Sequence, residues 1–179
     1  MCVRNEPYKI QKHFSKRIIA MSSNTEYRSI SSNTGDWSLS SNTGNRSSSS
    51  NTGKYSSSSN TGNYSLSSNT GYRGSSSNTG KYSSSSNTGN RSSSSNTGKY
   101  SIAAVNGKDS IAIVEGENSV AVATGLDCTA RATKPGSVIF LVERDDEWNI
   151  INAKCGIVGK DIEAGVTYKL VNGEFVAIA

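Results

Sequence analysis

Between Ser22 and Thr129 a nonapeptide recurs with almost no drift, S-S-N-T-G-x-x-S-x. Its glycines fall at Gly35, Gly44, Gly53, Gly62, Gly71, Gly80, Gly89, Gly98, Gly107, Gly116 and Gly125. Including the opening copy, where Glu26 stands for the glycine, this makes 12 copies. Units that stack on their neighbours must keep such a phase, whereas a flexible linker has no need of it. The phase therefore outweighs the composition, because a hydrophobic fraction of 33% would by itself point to a disordered segment.

Each copy divides into a strand and a corner. In Ser101-Ile-Ala-Ala-Val-Asn-Gly-Lys-Asp109 the first five residues are small or β-branched and the last four are turn formers. The glycine is expected to supply the positive φ of the corner. One short strand cannot close a coil, so two or three copies must build each turn. Charge favours two copies, although that register sets Lys81 near Lys99 and Arg73 near Arg91. With 18 residues per turn, Asp36 meets Lys54, Arg91 meets Asp109 and Lys99 meets Glu117; with 27, Lys54, Lys81 and Lys108 share a column, and like charges directly opposite are destabilising. The expected fold is all-β, a parallel β-solenoid in the form of a two-sided roll. About six turns at ~4.7 Å each would make it roughly 28 Å long.

In that register the corner residues form two columns: Arg28, Arg46, Tyr64, Tyr82, Tyr100 on one edge and Trp37, Tyr55, Arg73, Arg91 on the other. Stacked cations and aromatics stabilise one another by ~0.5–1 kcal/mol per exposed contact. The same columns are candidate binding ladders for sugar rings, nucleobases or a partner surface. Along each strand the series Ser38, Ser40, Asn42 stays small in every copy, as in Ser110, Ala112, Val114 and Cys128, Ala130, Ala132, and is expected to face a thin interior. The alternate series admits charge and faces out. It becomes aliphatic in the last copies, where Ile102, Ile111, Ile113, Val120 and Val122 make a candidate docking or oligomer face.

Three segments result: an N-terminal capping segment over residues 1–20, expected to be helical from Asn5-Glu-Pro7; the solenoid over 21–133; and a small antiparallel β domain over 134–179. In the last, Ser137–Glu143 and Trp148–Lys154 read as strands about a turn, and Asn172-Gly173 as a type I′ hairpin turn between Val166–Val171 and Glu174–Ile178. This unit is expected to dock on the aliphatic last turns as a C-terminal cap.

The chemistry of enzymes has little to work with here. His13 is the single histidine and has no acid or nucleophile at a meaningful spacing; the serines form no G-x-S-x-G elbow; and no phosphate-binding glycine loop opens a helix. Asp145, Asp146 and Glu147 read as a solvated turn. No cofactor or metal is expected. Cys2, Cys128 and Cys155 have no metal-ligand spacing and leave an odd thiol. The run Arg17–Met21 is too short for a signal-peptide core or a membrane span, which makes the cytoplasm the default location, with a phage particle or cell surface as alternatives. A formal charge of +5 spread along the chain gives nucleic-acid binding only weak support.

The segment Asp109-Ser-Ile-Ala-Ile-Val-Glu-Gly-Glu-Asn-Ser-Val-Ala-Val-Ala-Thr-Gly125 resembles the head repeats of trimeric autotransporter adhesins, in which S-V-A-x-x-G units build a parallel β-roll. The whole pattern is similar to a family of uncharacterised bacterial and phage proteins. These join S-N-T-G nonapeptides to a C-terminal segment like Trp148…Tyr168-Lys-Leu…Gly173-Glu-Phe175. Neither resemblance implies catalytic residues. The calcium-binding nonapeptides of secreted toxins share the period, but their G-G-x-G-x-D ligands are missing here.

The leading expectation is a non-enzymatic structural or interaction protein, phage-associated or self-assembling, with a protein partner or its own copies as partner. The alternatives are binding of a polymer, carbohydrate or ice surface, through hydroxyl rows such as Ser41, Thr43, Ser59, Thr61, Ser77, Thr79 or through the aromatic ladders, and nucleic-acid binding along the Arg/Tyr edges.

Overall fold

The computed structural model describes the backbone of residues 10–13 and the whole of residues 20–178. Its strands are β1 (Ile10–His13), β2 (Met21–Asn24), β3 (Ile30–Asn33), β4 (Leu39–Asn42), β5 (Ser48–Asn51), β6 (Ser57–Asn60), β7 (Leu66–Asn69), β8 (Ser75–Asn78) and β9 (Ser84–Asn87). They continue as β10 (Ser93–Asn96), β11 (Ile102–Val105), β12 (Ile111–Val114), β13 (Val120–Ala123), β14 (Thr129–Ala132), β15 (Val138–Arg144), β16 (Ile150–Ile157), β17 (Thr167–Val171) and β18 (Glu174–Ile178). No helix occurs among the described residues.

The coil is a parallel β-solenoid of about seven turns with 18 residues per turn. Ser48 lies beside Leu66, and Leu66 beside Ser84. Odd-numbered strands stack into one nine-stranded sheet, completed by β16; even-numbered strands stack into the other, completed by β17 and β18. The expected inward series is buried from Ser29 onward: Ser38, Ser40 and Asn42 are at most 1% exposed.

A polar interior needs partners, and the repeat supplies them by position to the serine hydroxyls from Ser38 onward and the asparagine Nδ2 groups, while the Oδ1 of the interior asparagines from Asn33 to Asn96 has none. The serine after each corner bonds to the turn below it twice. Ser101 Oγ accepts from the Ser83 amide at 3.2 Å and donates to the Gly80 carbonyl at 3.4 Å, and the pattern repeats at Ser92, Ser110, Ser119 and Ser137. The mid-strand serines reach across the interior, as Ser58 Oγ does to the Ser68 carbonyl at 3.0 Å. Each strand-end asparagine donates to the carbonyl opening the next strand: Asn33 to Leu39 and Asn42 to Ser48, both at 2.7 Å, and Asn60 to Leu66. The fixed letters S, S and N of the motif are thus three hydrogen-bonding stations.

The glycine has a different role from the one expected. None of the repeat glycines has a positive φ; the left-handed residue is two places later, at Arg28, Trp37, Arg46, Tyr55, Tyr64, Arg73, Tyr82, Arg91 and Tyr100, with φ between 54° and 61°. What glycine provides is closeness. A Cβ on Gly53 would lie 1.9 Å from the Gly35 carbonyl oxygen, and one on Gly80 would lie 2.1 Å from that of Gly62. The turns can stack only where this side chain is missing.

At the N-terminus, Ile10–His13 form a strand in parallel register with Ile30–Asn33, which corrects the expected helix at those residues. The first full turn exposes an edge of backbone donors and acceptors, which a strand satisfies and a helix does not. Residues 1–9 and 14–19 of the expected capping segment lie outside the described residues.

Past Thr133 the parallel coil continues, with Val120 beside Val138 and Ala123 beside Leu141. The C-terminal strands then extend both sheets antiparallel. β16 pairs with β15, and the β17–β18 hairpin pairs with β14. Asn172 and Gly173 have φ of 51° and 76°, as a type I′ turn requires. Here the interior turns apolar: Ala103, Val105, Ala112 and Val114 replace the earlier serines and asparagines, and Ile139, Leu141, Ile162, Tyr168 and Leu170 close the end, with Phe175 packed against them.

Candidate functional site

The sequence-derived ladders are physically continuous. On one edge Tyr64, Tyr82 and Tyr100 stack at ring-centroid distances of 5.1 and 5.2 Å with interplanar angles of 8° and 11°, and the Arg46 guanidinium lies 5.7 Å from the Tyr64 ring centroid. Arg28 lies below Arg46 on this edge and packs 5.4 Å from the Tyr27 centroid. On the other edge Trp37 stacks on Tyr55 at 4.4 Å, and Arg73 lies within 6 Å of both the Tyr55 and Tyr72 rings. Arg91 donates to the Tyr72 hydroxyl at 3.0 Å and pairs with Asp109 at 3.6 Å. The left-handed backbone at these positions swings each side chain out of the coil, where the 18-residue register places it over its counterpart.

This geometry limits what the ladders can bind. The tyrosine faces are directed along the rod: Tyr82 has Tyr64 on one face and Tyr100 on the other. A sugar ring or nucleobase stacks on a free aromatic face, and the ladder presents ring edges and hydroxyls instead. Several cations are paired as well. Lys99 meets Glu117 at 2.7 Å, and Asp127 takes Lys169 at 2.6 Å and Lys108 at 4.0 Å. The Tyr72 hydroxyl and then Asp109 raise the Arg91 pKa, Glu117 raises that of Lys99, and Lys99 lowers that of Glu117.

The aliphatic residues expected to make one face are divided between two. Ile102, Val120 and Val122 point outward from the odd sheet, and Ile111 and Ile113 from the even sheet. The C-terminal strands cover neither group, because they add to the sheet edges and do not lie across the faces. On the odd sheet the register continues the rows, Ile102–Val120–Val138–Ile157 and Ala104–Val122–Phe140–Cys155. On the even sheet Glu115 and Arg131 pair at 3.5 Å in the same turns. The chain order hid Val138, Phe140, Cys155 and Ile157 as members of this face, since only the antiparallel register of β16 brings the last two into it.

Ser41, Ser59 and Ser77 lie in one row on the even sheet, with Thr43, Thr61 and Thr79 exposed just beyond the strands, and Leu39 belongs to this sheet while Leu66 belongs to the other. The acidic turn is engaged by its own backbone: Asp145 accepts from the Glu147 and Asn149 amides at 3.0 and 2.9 Å. Glu143 accepts from the Asn172 and Gly173 amides at 2.8 and 2.9 Å and from Asn152. Desolvation pushes its pKa up, but these donors outweigh it and leave it lowered. Cys128 is buried, donates to the Gly107 carbonyl, and has a raised pKa through desolvation; Cys155 is exposed. Among the described residues no cluster of three or more His, Cys, Asp or Glu is placed to hold a metal ion, and no helix is long and apolar enough to cross a membrane.

No protein-family model, curated protein or solved structure matches the chain.

Proposed function

We propose that the protein is a non-enzymatic structural scaffold, a short rigid rod that offers its flat outer surfaces to a protein partner or to its own copies. The observation that carries this reading is how the repeat uses its polar groups. Serine hydroxyls, asparagine amides and corner carboxamides bond turn to turn, as when Asn45 Oδ1 accepts from the Asn63 amide and Asn63 Oδ1 from the Lys81 amide, both at 2.8 Å. The chemistry of the chain maintains its shape, and the shape is what it presents. In this reading the C-terminal strands cap the coil by continuing both sheets and closing its apolar end.

The corner ladders belong to the same structural role. Changing Tyr64, Tyr82 and Tyr100 together to alanine removes two stacked pairs and one cation–π contact, about 2–3 kcal/mol. The expected result is a Tm lower by about 5–10 °C, measured by calorimetry on the full chain. An unchanged Tm would assign the ladder to binding and contradict the structural role.

A further inference from the structure

The outer face of the odd sheet has a longer uncharged run than that of the even sheet. From Ile30 on β3 to Ile157 on β16, eight strands in register place two rows of side chains outward, and none of them is charged. In the lower turns the rows are serine, interrupted by Ile30 and Leu66. In the last four strands they become apolar, centred on Ile102, Val120, Val122, Val138, Phe140 and Ile157. Ile102 is 46% exposed and Ile157 37%. The even sheet, in the same turns, carries Glu115 and Arg131 outward. The even rows are also uncharged from Met21 to Ile113, so what sets the odd face apart is that its apolar end carries no charge, and such an apolar end is a surface to be covered.

We propose that the occupant is a second copy of this chain, laid face to face on the odd sheet about a twofold axis that runs parallel to the rod. This rests on the scaffold reading and names its partner. Charge and pattern both point to it. Over these eight strands the face has no charge to offer a charged partner, and its own copy is equally neutral; β1 adds Lys12 only at the far end, in register with Ser32. A twofold axis along the rod sets each turn against the same turn of the partner. The axis reverses the strand direction, so Ile102 faces Ala104 and Val120 faces Val122 of the partner, apolar turn on apolar turn and serine row on serine row, whereas an antiparallel arrangement would bury the apolar turns against hydroxyls. The area reaches the lower end of what a specific interface needs. Eight strands at ~4.8 Å by ~13 Å of strand make a plane of about 500 Å² before side-chain relief. Two partners together then bury about 1,000 Å², the smallest total of a specific interface.

Analytical ultracentrifugation of the full chain at tens of micromolar should give twice the 18.9 kDa chain mass. Val122→Lys should weaken the dimer at least about 100-fold, because the twofold axis places two ammonium groups in one apolar patch. Ile113→Lys, on the even sheet, should leave it intact. Ser86→Lys, on the same face outside the apolar turns, should also weaken it, and serves if Val122→Lys does not fold. Cys155 reports orientation: in a Cys2→Ser background a short bismaleimide should join the two Cys155 thiols in high yield. A wild-type monomer, an Ile113→Lys variant as monomeric as Val122→Lys, or a dimer that does not cross-link would each overturn the proposal. Small-angle scattering on the same samples separates the two readings. A rod profile with monomer mass overturns the dimer alone, and an expanded-chain profile overturns the scaffold as well.

Discussion

Replacing Gly80 by alanine should lower the Tm by about 10 °C or more, or prevent folding, although the change adds one methyl group. A Cβ at that position would lie 2.1 Å from the Gly62 carbonyl oxygen, 2.4 Å from its carbon and 2.7 Å from the Asn63 nitrogen. All three atoms are backbone of the turn below, so no side chain can rotate away. The only relief is to part the turns, which loses Ser83 Oγ to the Gly62 carbonyl and the neighbouring strand bonds together. In a stack where each turn touches only its neighbours, a break at one interface costs that whole nearest-neighbour term. A loss of about 3–5 kcal/mol is the corresponding scale. Lys81→Ala on the same corner, whose exposed side chain leaves the backbone in place, is the control and should change the Tm by less than about 2 °C. Urea denaturation of both variants checks the result, and an alanine tolerated at Gly80 would show that the turns are not packed this closely.

The second large effect concerns the interior. Asn60→Asp preserves shape and replaces a donor by a charge. Asn60 is 1% exposed, its Nδ2 donates to the Leu66 carbonyl, and its Oδ1 has no hydrogen-bond partner in the fold. A carboxylate there would face a carbonyl oxygen, and an uncompensated buried charge costs about 3–5 kcal/mol. Loss of the amide alone is milder, since the chain itself carries Val105 and Val114 at equivalent positions. The sign of the pH dependence follows. Burial raises the folded-state carboxyl pKa above its unfolded value of about 3.9, so the folded state holds the proton longer. Below that pH both states are protonated and the new hydroxyl can donate to Leu66. Stability relative to wild type then falls as pH rises from about 4, until the folded-state carboxyl ionises. Melting curves from pH 3 to pH 8 should show this decline, and a pH-independent difference would mean that the site is solvated.

How far the sequence led is clear from particular residues. The turn length was legible because charge had to be accommodated. Arg91–Asp109 and Lys99–Glu117 are ion pairs at 3.6 and 2.7 Å, and Asp36, opposite Lys54, accepts from its backbone amide at 2.8 Å. The inward face was legible because only small residues fit between the sheets. The glycine's role was misread for a reason inherent in periodic sequences: the phase marks a corner but does not say which of its residues turns left-handed. Arginine, tryptophan and tyrosine are poor guesses for a positive φ. They are accepted there because the ladder contacts made in that conformation offset the strain. The candidate docking face was half legible. Alternation identified Ile102, Val120 and Val122 as outward, but consecutive copies alternate between sheets, so Ile111 and Ile113 belong to the other side. The C-terminal unit was legible as strands and not as placement, since apolar strands can cover a face or extend an edge, and the open edges of β14 and β15 decided for extension.

Hydrogen exchange at the serine amides tests the central claim, that an 18-residue turn is held by serine hydroxyls bonding turn to turn. The amides of Ser65, Ser83 and Ser101 donate to Ser83, Ser101 and Ser119 hydroxyls at 3.2, 3.2 and 3.0 Å. They should exchange at least about 1000-fold more slowly than in an unstructured chain. Ser83→Ala should speed exchange at Ser65, 18 residues earlier, and leave Ser56, 27 residues earlier, unchanged. Exchange near the unstructured rate at all three serines, or acceleration at Ser56 instead of Ser65, would contradict the account.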